Sequence, residues 1–137
     1  MTVTYSVDRR PSVEDLADLY RRSTLAERRP VDNPEIFTAM IESADLLVTA
    51  WADDQLVGVA RTLTDWLYVA YLADLAVDEA WQRQGLGRGL LHTTQAQLGP
   101  ECMIVLLAAP AAADYYARVG FEQHPRAWIL PPGKGIV

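Results

Sequence analysis

Residues 71–91, YLADLAVDEAWQRQGLGRGLL, constrain this chain more than any other stretch. An apolar run ends at Val77, a short polar connection follows, and a glycine-rich turn opens directly into an amphipathic segment. Gly85, Gly87 and Gly89 let a backbone turn sharply and approach a ligand closely. Leu86, Leu90, Leu91 and Leu98 then recur at roughly helical spacing, which places Gly85 and Gly87 at a helix N-terminus. The unpaired N–H groups and positive dipole end of such a terminus attract anions, above all phosphates. Arg83 and Arg88 add cationic reach on either side of the turn.

The flanking sequence supplies a frame for this turn. Residues 2–7 alternate Val3, Tyr5 and Val7 with small polar residues and read as a first strand. Ser12 is a good N-cap, and Val13, Leu16, Leu19 and Tyr20 follow helical spacing. Pro30, after the pair Arg28-Arg29, breaks that helix between residues 23 and 33. Asn33-Pro34 restarts it, with Ile36, Phe37, Met40 and Ile41 as its apolar face. Residues 46–51, 56–63 and 67–77 read as three strands of an antiparallel meander, turning at Asp53-Asp54 and Thr64-Asp65.

After the glycine turn and its helix, Gly99-Pro100 is a stop. Residues 103–107 are unbroken apolar, as expected of a central strand covered on both faces. A short helix over residues 111–119 and one last strand or irregular pair over residues 121–130 complete the order β-α-α-β-β-β-α-β-α-β, with a frayed tail from about residue 131. That order predicts a mixed α/β fold in which a meander is followed by a βα unit that sets two strands parallel. At 137 residues, half of them hydrophobic, one domain spanning residues 1–137 can bury a proper core.

Composition narrows the functional classes. A net charge of −6 argues against nucleic acid as a partner. Asp8, Arg9 and Arg10 interrupt any signal-peptide core, and no apolar run approaches a membrane span. The single Cys102 suits a reducing, cytoplasmic setting. His92 and His124 have no second ligand at metal spacing, so no metal site is expected. Trp51, Trp66, Tyr68 and Trp81 fit the lining of an acceptor site or the core, and each taken singly is read as structural.

Two owners of such a turn fail on particular residues. A dinucleotide fingerprint spaced from Gly85 and Gly87 needs a third glycine where Leu90 stands, and no Gly-Lys-Ser/Thr triplet exists for a Walker loop. What fits is Gln/Arg-x-x-Gly-x-Gly/Ala, read as Gln82-Arg83-Gln84-Gly85-Leu86-Gly87 after Leu75-Ala76-Val77. Downstream, Tyr115-Tyr116-Ala117-Arg118-Val119-Gly120-Phe121 fits aromatic-Tyr-x-x-x-Gly-Phe. Together these motifs resemble the GNAT superfamily of acetyl-CoA-dependent N-acetyltransferases, whose element order matches this chain from end to end.

The resemblance implies a mixed, mostly antiparallel sheet of six to seven strands with a splayed central parallel pair and about four helices. It implies that Leu75, Ala76 and Val77 contact the pantetheine arm of acetyl-CoA, and that the amides of Gln82, Arg83, Gln84, Gly85, Leu86, Gly87 and Arg88 cradle its pyrophosphate. Tyr116 then takes the place of the family's acid, donating a proton or hydrogen bond to the departing thiolate. The family's asparagine seven residues earlier is Ala109 here. The implied activity is acetyl transfer to a primary amine by direct attack. The alternative is a non-catalytic acyl-CoA sensor on the same fold. Homodimers, common in that fold, are compatible with the sequence. Asp74, a carboxylate within an apolar strand, is the candidate general base; its bland reading is pairing with an arginine such as Arg61.

Overall fold

A computed structural model describes residues 2–137. The chain divides into two compact units, one ending at Leu107 and one comprising Ala108–Val137.

In the first unit, helix termini follow their side chains. Ser12 Oγ accepts the Asp15 N–H at 3.0 Å and opens α1 (Val13–Arg22), which carries Glu14 and Asp15 in its first turn and Arg21 and Arg22 in its last. Asn33 Oδ1 accepts the Ile36 N–H at 3.3 Å and opens α2 (Pro34–Glu42). Both caps satisfy orphan N–H groups, and the charges of α1 complement its dipole. A 3₁₀ turn, Leu25–Arg28, joins the helices, and Tyr20 meets Phe37 edge to face at 5.0 Å.

The sheet runs in the order β1-β2-β3-β4-β5. β1 (Val3–Ser6), β2 (Leu46–Ala52), β3 (Gln55–Thr64) and β4 (Val69–Val77) are successively antiparallel, and β5 (Met103–Val105) pairs parallel with β4. Every residue of β2 is buried, so both faces of the sheet are covered. Leu47, Trp51, Val59 and Ala76 join the cluster formed by α1 and α2. From the opposite face, Leu90 of α3 (Leu86–Ala96) lies so close to Gly58 that a Cβ there would sit 3.0 Å from its Cδ1. Burial of these aliphatic side chains, about 1.5–3 kcal/mol each, dominates the stabilisation.

β4 starts two residues later than expected. The Asp65 carboxylate accepts the N–H groups of Leu67, Tyr68 and Val69 at 3.0, 2.8 and 3.1 Å, which removes the first two from the ladder. These backbone bonds, Tyr68's foremost, hold the Asp65 pKa below the usual carboxylate range.

Two expectations about the sheet are corrected. It has five strands among the described residues instead of six to seven, and the parallel pair lies at its edge instead of its centre. Residues 121–130 form no strand: Pro125 offers no donor to a ladder, and the Arg126 N–H is taken by His124 Nδ1 at 3.1 Å. Residues 103–107 are accordingly an edge segment, with Met103 54% and Val105 40% exposed.

The second unit holds a 3₁₀ turn, Pro110–Ala112, and α4 (Ala113–Arg118), which ends at Gly120 with φ +104°. Trp128, Ile129 and Leu130 are exposed.

Candidate active site

β4 has two unlike edges. Along β3 it is paired from Ala70↔Thr64 to Val77↔Gly58. Along β5 the pairing is limited to Val69↔Met103, Ala70↔Ile104 and Tyr71↔Val105. Beyond Tyr71, the backbone groups of β4 that point away from β3 have no neighbouring strand among the described residues. Leu75, Ala76 and Val77 lie on this open edge. Polar backbone groups in such a position need partners, and an extended ligand with amides of its own can supply them.

The open edge is joined to the glycine turn through the 3₁₀ turn Glu79–Trp81. Gln82 Nε2 donates to the Val77 carbonyl at 3.1 Å, strapping the connection to the strand end. Arg83 and Gly85 both adopt left-handed φ, +63° and +83°. For Arg83 this costs roughly 1–2 kcal/mol, strain that the surrounding turn imposes. Gly85 is the N-cap of α3 and its carbonyl accepts the Gly89 N–H at 3.0 Å. The N–H groups of Leu86, Gly87 and Arg88, the first helical residues, have no intrahelical acceptor.

The start of α3 differs in kind from those of α1 and α2. It has no side-chain cap and no acidic residue in its first turn. Instead Arg83 and Arg88 are exposed beside it, and among the described residues neither is in an ion pair. Free amides, a positive dipole end and two unpaired cations are groups that attract an anion. Gly89 has a separate, structural reason to be glycine, because a Cβ there would overlap the phenol of Tyr5.

Asp74 lies on the paired edge. The ladder passes from Arg61↔Asp74 to Thr62↔Leu72, leaving Ala73 as a bulge. Asp74 is 2% exposed and both of its oxygens are engaged. Oδ2 accepts Arg61 Nε at 2.5 Å and the Tyr20 hydroxyl at 2.6 Å, while Oδ1 accepts Arg29 Nε at 2.5 Å. Arg29 Nη2 also donates to the carbonyl of the bulged Ala73 at 2.9 Å, and Arg61 Nη1 to that of Met40 at 3.3 Å. Burial by itself would raise the Asp74 pKa. The Arg61 guanidinium foremost, with Tyr20 and the Arg29 charge, outweighs it and holds the carboxyl below the ordinary range. Tyr20 is pushed far above the usual phenol value, by burial and then by the Asp74 charge. A carboxylate held this way is a poor proton acceptor. The geometry is that of a buried structural ion pair, in which Arg61 occupies the place the sequence offered and Arg29 was not foreseen.

Tyr116 belongs to the second unit. It packs edge to face on Tyr115 at 5.3 Å and on Phe121 at 5.5 Å, and its carbonyl accepts the Phe121 N–H at 2.9 Å. Burial, then the neighbouring Tyr115, raises its pKa. The phenol thus keeps its proton at neutral pH, as a hydrogen-bond donor must. Ala109 is the N-cap of the 3₁₀ turn before α4 and provides no side-chain cap. No cluster of metal-ligating side chains occurs among the described residues, and no helix among them is long and apolar enough to cross a membrane.

Comparison with known proteins gives the family and the fold. The model of the acetyltransferase (GNAT) domain matches residues 18–127. GCN5-related N-acetyltransferase 2, chloroplastic, of Arabidopsis thaliana is 33% identical over 78 residues, covering 53% of this chain and 29% of its own length. The chain therefore spans under a third of that relative. Among solved structures, a GNAT-family acetyltransferase of Streptococcus pneumoniae superposes with a TM-score of 0.71 at 21% identity, over 94% of this chain and 98% of the other. An aminoglycoside acetyltransferase from an uncultured soil metagenomic sample, in complex with sisomicin, superposes at 0.65 with 20% identity, over 95% of each chain. These two likenesses are of fold. The family model, matching most of the chain and including the open-edged strand, the glycine turn and α3, shows that this protein belongs to the GNAT acetyltransferase family.

Proposed function

We propose that this protein is an N-acetyltransferase that moves an acetyl group from acetyl-CoA to a primary amine by direct attack, without a covalent enzyme intermediate. One observation carries the reading. The edge of β4 that lacks a strand partner is joined, through the 3₁₀ turn Glu79–Trp81 and the glycine turn, to an uncapped, cation-flanked helix start. An acyl-CoA offers the matching sequence of groups, an amide-bearing arm followed by a pyrophosphate.

In this reading Leu75, Ala76 and Val77 pair with the pantetheine arm. The amides from Gln82 to Arg88, with the side chains of Arg83 and Arg88, hold the pyrophosphate. Backbone N–H groups near Ala76 and Val77 polarise the thioester carbonyl. Holding donor and amine in one cleft makes aminolysis effectively intramolecular. Tyr116 protonates the departing thiolate, a contribution of about 10²–10⁴-fold in rate. Asp74 is the candidate base from the sequence, but its two arginine partners favour a structural role for it, so the amine is deprotonated through solvent.

The test is a panel of small amines, amino acids, polyamines, aminoglycosides and peptide N-termini, with acetyl-CoA and thiol release as the readout. At least one amine should give saturable, enzyme-dependent release. Tight CoA binding with no amine giving release would favour the acyl-CoA sensor instead.

A further inference from the structure

The junction between the donor strand and the glycine turn is tied to the opposite layer of the molecule. Asp78 follows the last residue of β4 and is 5% exposed. Its N–H donates to the carbonyl of Val57 at 2.9 Å. Val57 is itself the extra residue of a bulge, since Ala50 pairs with Gly58 and Trp51 with Leu56. Asp78 Oδ1 accepts the Ala80 N–H at 2.9 Å and so caps the 3₁₀ turn Glu79–Trp81. Oδ2 accepts Arg22 Nε at 2.8 Å, and Arg22 Nη2 donates to the Leu56 carbonyl at 2.8 Å. Arg22 is the last residue of α1, where its charge also complements the helix dipole.

The remaining anchors of residues 78–84 are local to the turn and the strand end. Trp81 N–H donates to the Asp78 carbonyl at 2.8 Å, and Gln82 straps back to Val77. Among the described residues, Arg22 is the side chain that fixes this connection against α1 and the β3 bulge. A ligand that pairs with β4 and also sits on the start of α3 binds two subsites at once. The second contact is strong only if the connection holds the subsites at the spacing of one molecule.

Resting on the donor-site reading above, we propose that Arg22 is a positioning residue for acyl-CoA. It touches no part of the donor, and through Asp78 it sets the register between the pantetheine strand and the pyrophosphate turn. Binding of a molecule that spans both subsites then depends on Arg22. Binding of a fragment that occupies the turn alone does not.

Calorimetry with CoA and NMR titration with ADP, on folded wild-type, R22Q, R22K, D78N and R22Q/D78N proteins, tests this. R22Q and D78N should each weaken CoA binding about tenfold, with ADP binding changed less than twofold. R22K should recover part of the loss. The double variant should be no weaker than either single one, because both break the same link. In turnover with any accepted amine, the KM for acetyl-CoA should rise while kcat at saturating donor stays unchanged. Unchanged CoA affinity in R22Q or D78N, additive losses in the double variant, or equal losses for CoA and ADP would each overturn the assignment. Failure of wild-type to bind CoA would instead overturn the donor-site reading itself.

Discussion

The two edges of β4 are made from one strand and do opposite things. The β3 edge is closed along its length, and where it bulges at Ala73 the irregularity is locked by Asp74, Arg29, Arg61 and Tyr20. The β5 edge is paired at three positions and then left open. A strand can give up half of its ladder only if the other half is secure, and the buried charges sit where that security is needed. Damage to the closed edge should therefore appear as lost stability, and damage to the open edge as lost binding with the fold intact.

The sharpest separation is expected from Gly87→Glu. It puts bulk and negative charge in the first turn of α3, where the pyrophosphate would lie. CoA affinity by calorimetry should fall more than a hundredfold, with the unfolding midpoint almost unmoved. Intact binding would mean that the open edge leads somewhere other than to a phosphate site.

Asp74→Asn attacks the other edge. It leaves two arginines around a neutral amide, and removing one partner of a buried ion pair costs about 3–5 kcal/mol. Denaturant unfolding should show a loss near the lower limit, because the amide still offers an oxygen. The pH dependence has a definite sign. The folded-state pKa of Asp74 is lowered, so the unfolded chain binds the extra proton first and acid erodes stability. That contribution is complete above about pH 5 and drains away as the pH falls below about 4. The Asn variant should lack this part of the acid transition. An identical acid profile in both proteins would remove Asp74 from its stabilising role.

Tyr116→Phe should leave CoA affinity and stability in place and lower turnover at least tenfold. Unchanged turnover would end the acid role. The smallest effect is expected at Gly89. An alanine there gains about 1 kcal/mol of helix propensity, but overlap with Tyr5 costs about 1–3 kcal/mol, for a net loss near 1 kcal/mol. In a Tyr5→Ala background the same change should become stabilising. If it does not, Gly89 answers to something besides packing.

Much of this was legible because its causes are local. Ser12 and Asn33 cap helices through amides three residues on, and the glycine turn carries its own backbone geometry. Asp74 could be recognised as needing a partner, and Arg61 lies on the adjoining strand. Arg29 and Arg22 were not legible, since their carboxylate partners lie 45 and 56 residues away and only the packed fold brings them together. The extra strand expected over residues 121–130 failed for the reverse reason. Its apolar content is interrupted by Pro125 and the turn that residue makes.

The glycines around the start of α3 also have a consequence in time. Gly85 stands at the N-cap, and Gly87 and Gly89 follow within the first four helical residues, these two each weakening the helix by about 0.5–1 kcal/mol relative to alanine. The following turns, anchored by Leu90, Leu91 and Thr94, carry no such penalty. The first turn should therefore open locally far more often than the rest of the helix, and its amides should exchange with deuterium first. An anion seated there would close it. Arrival of the donor would then be recorded as a slowing of exchange confined to a single helical turn.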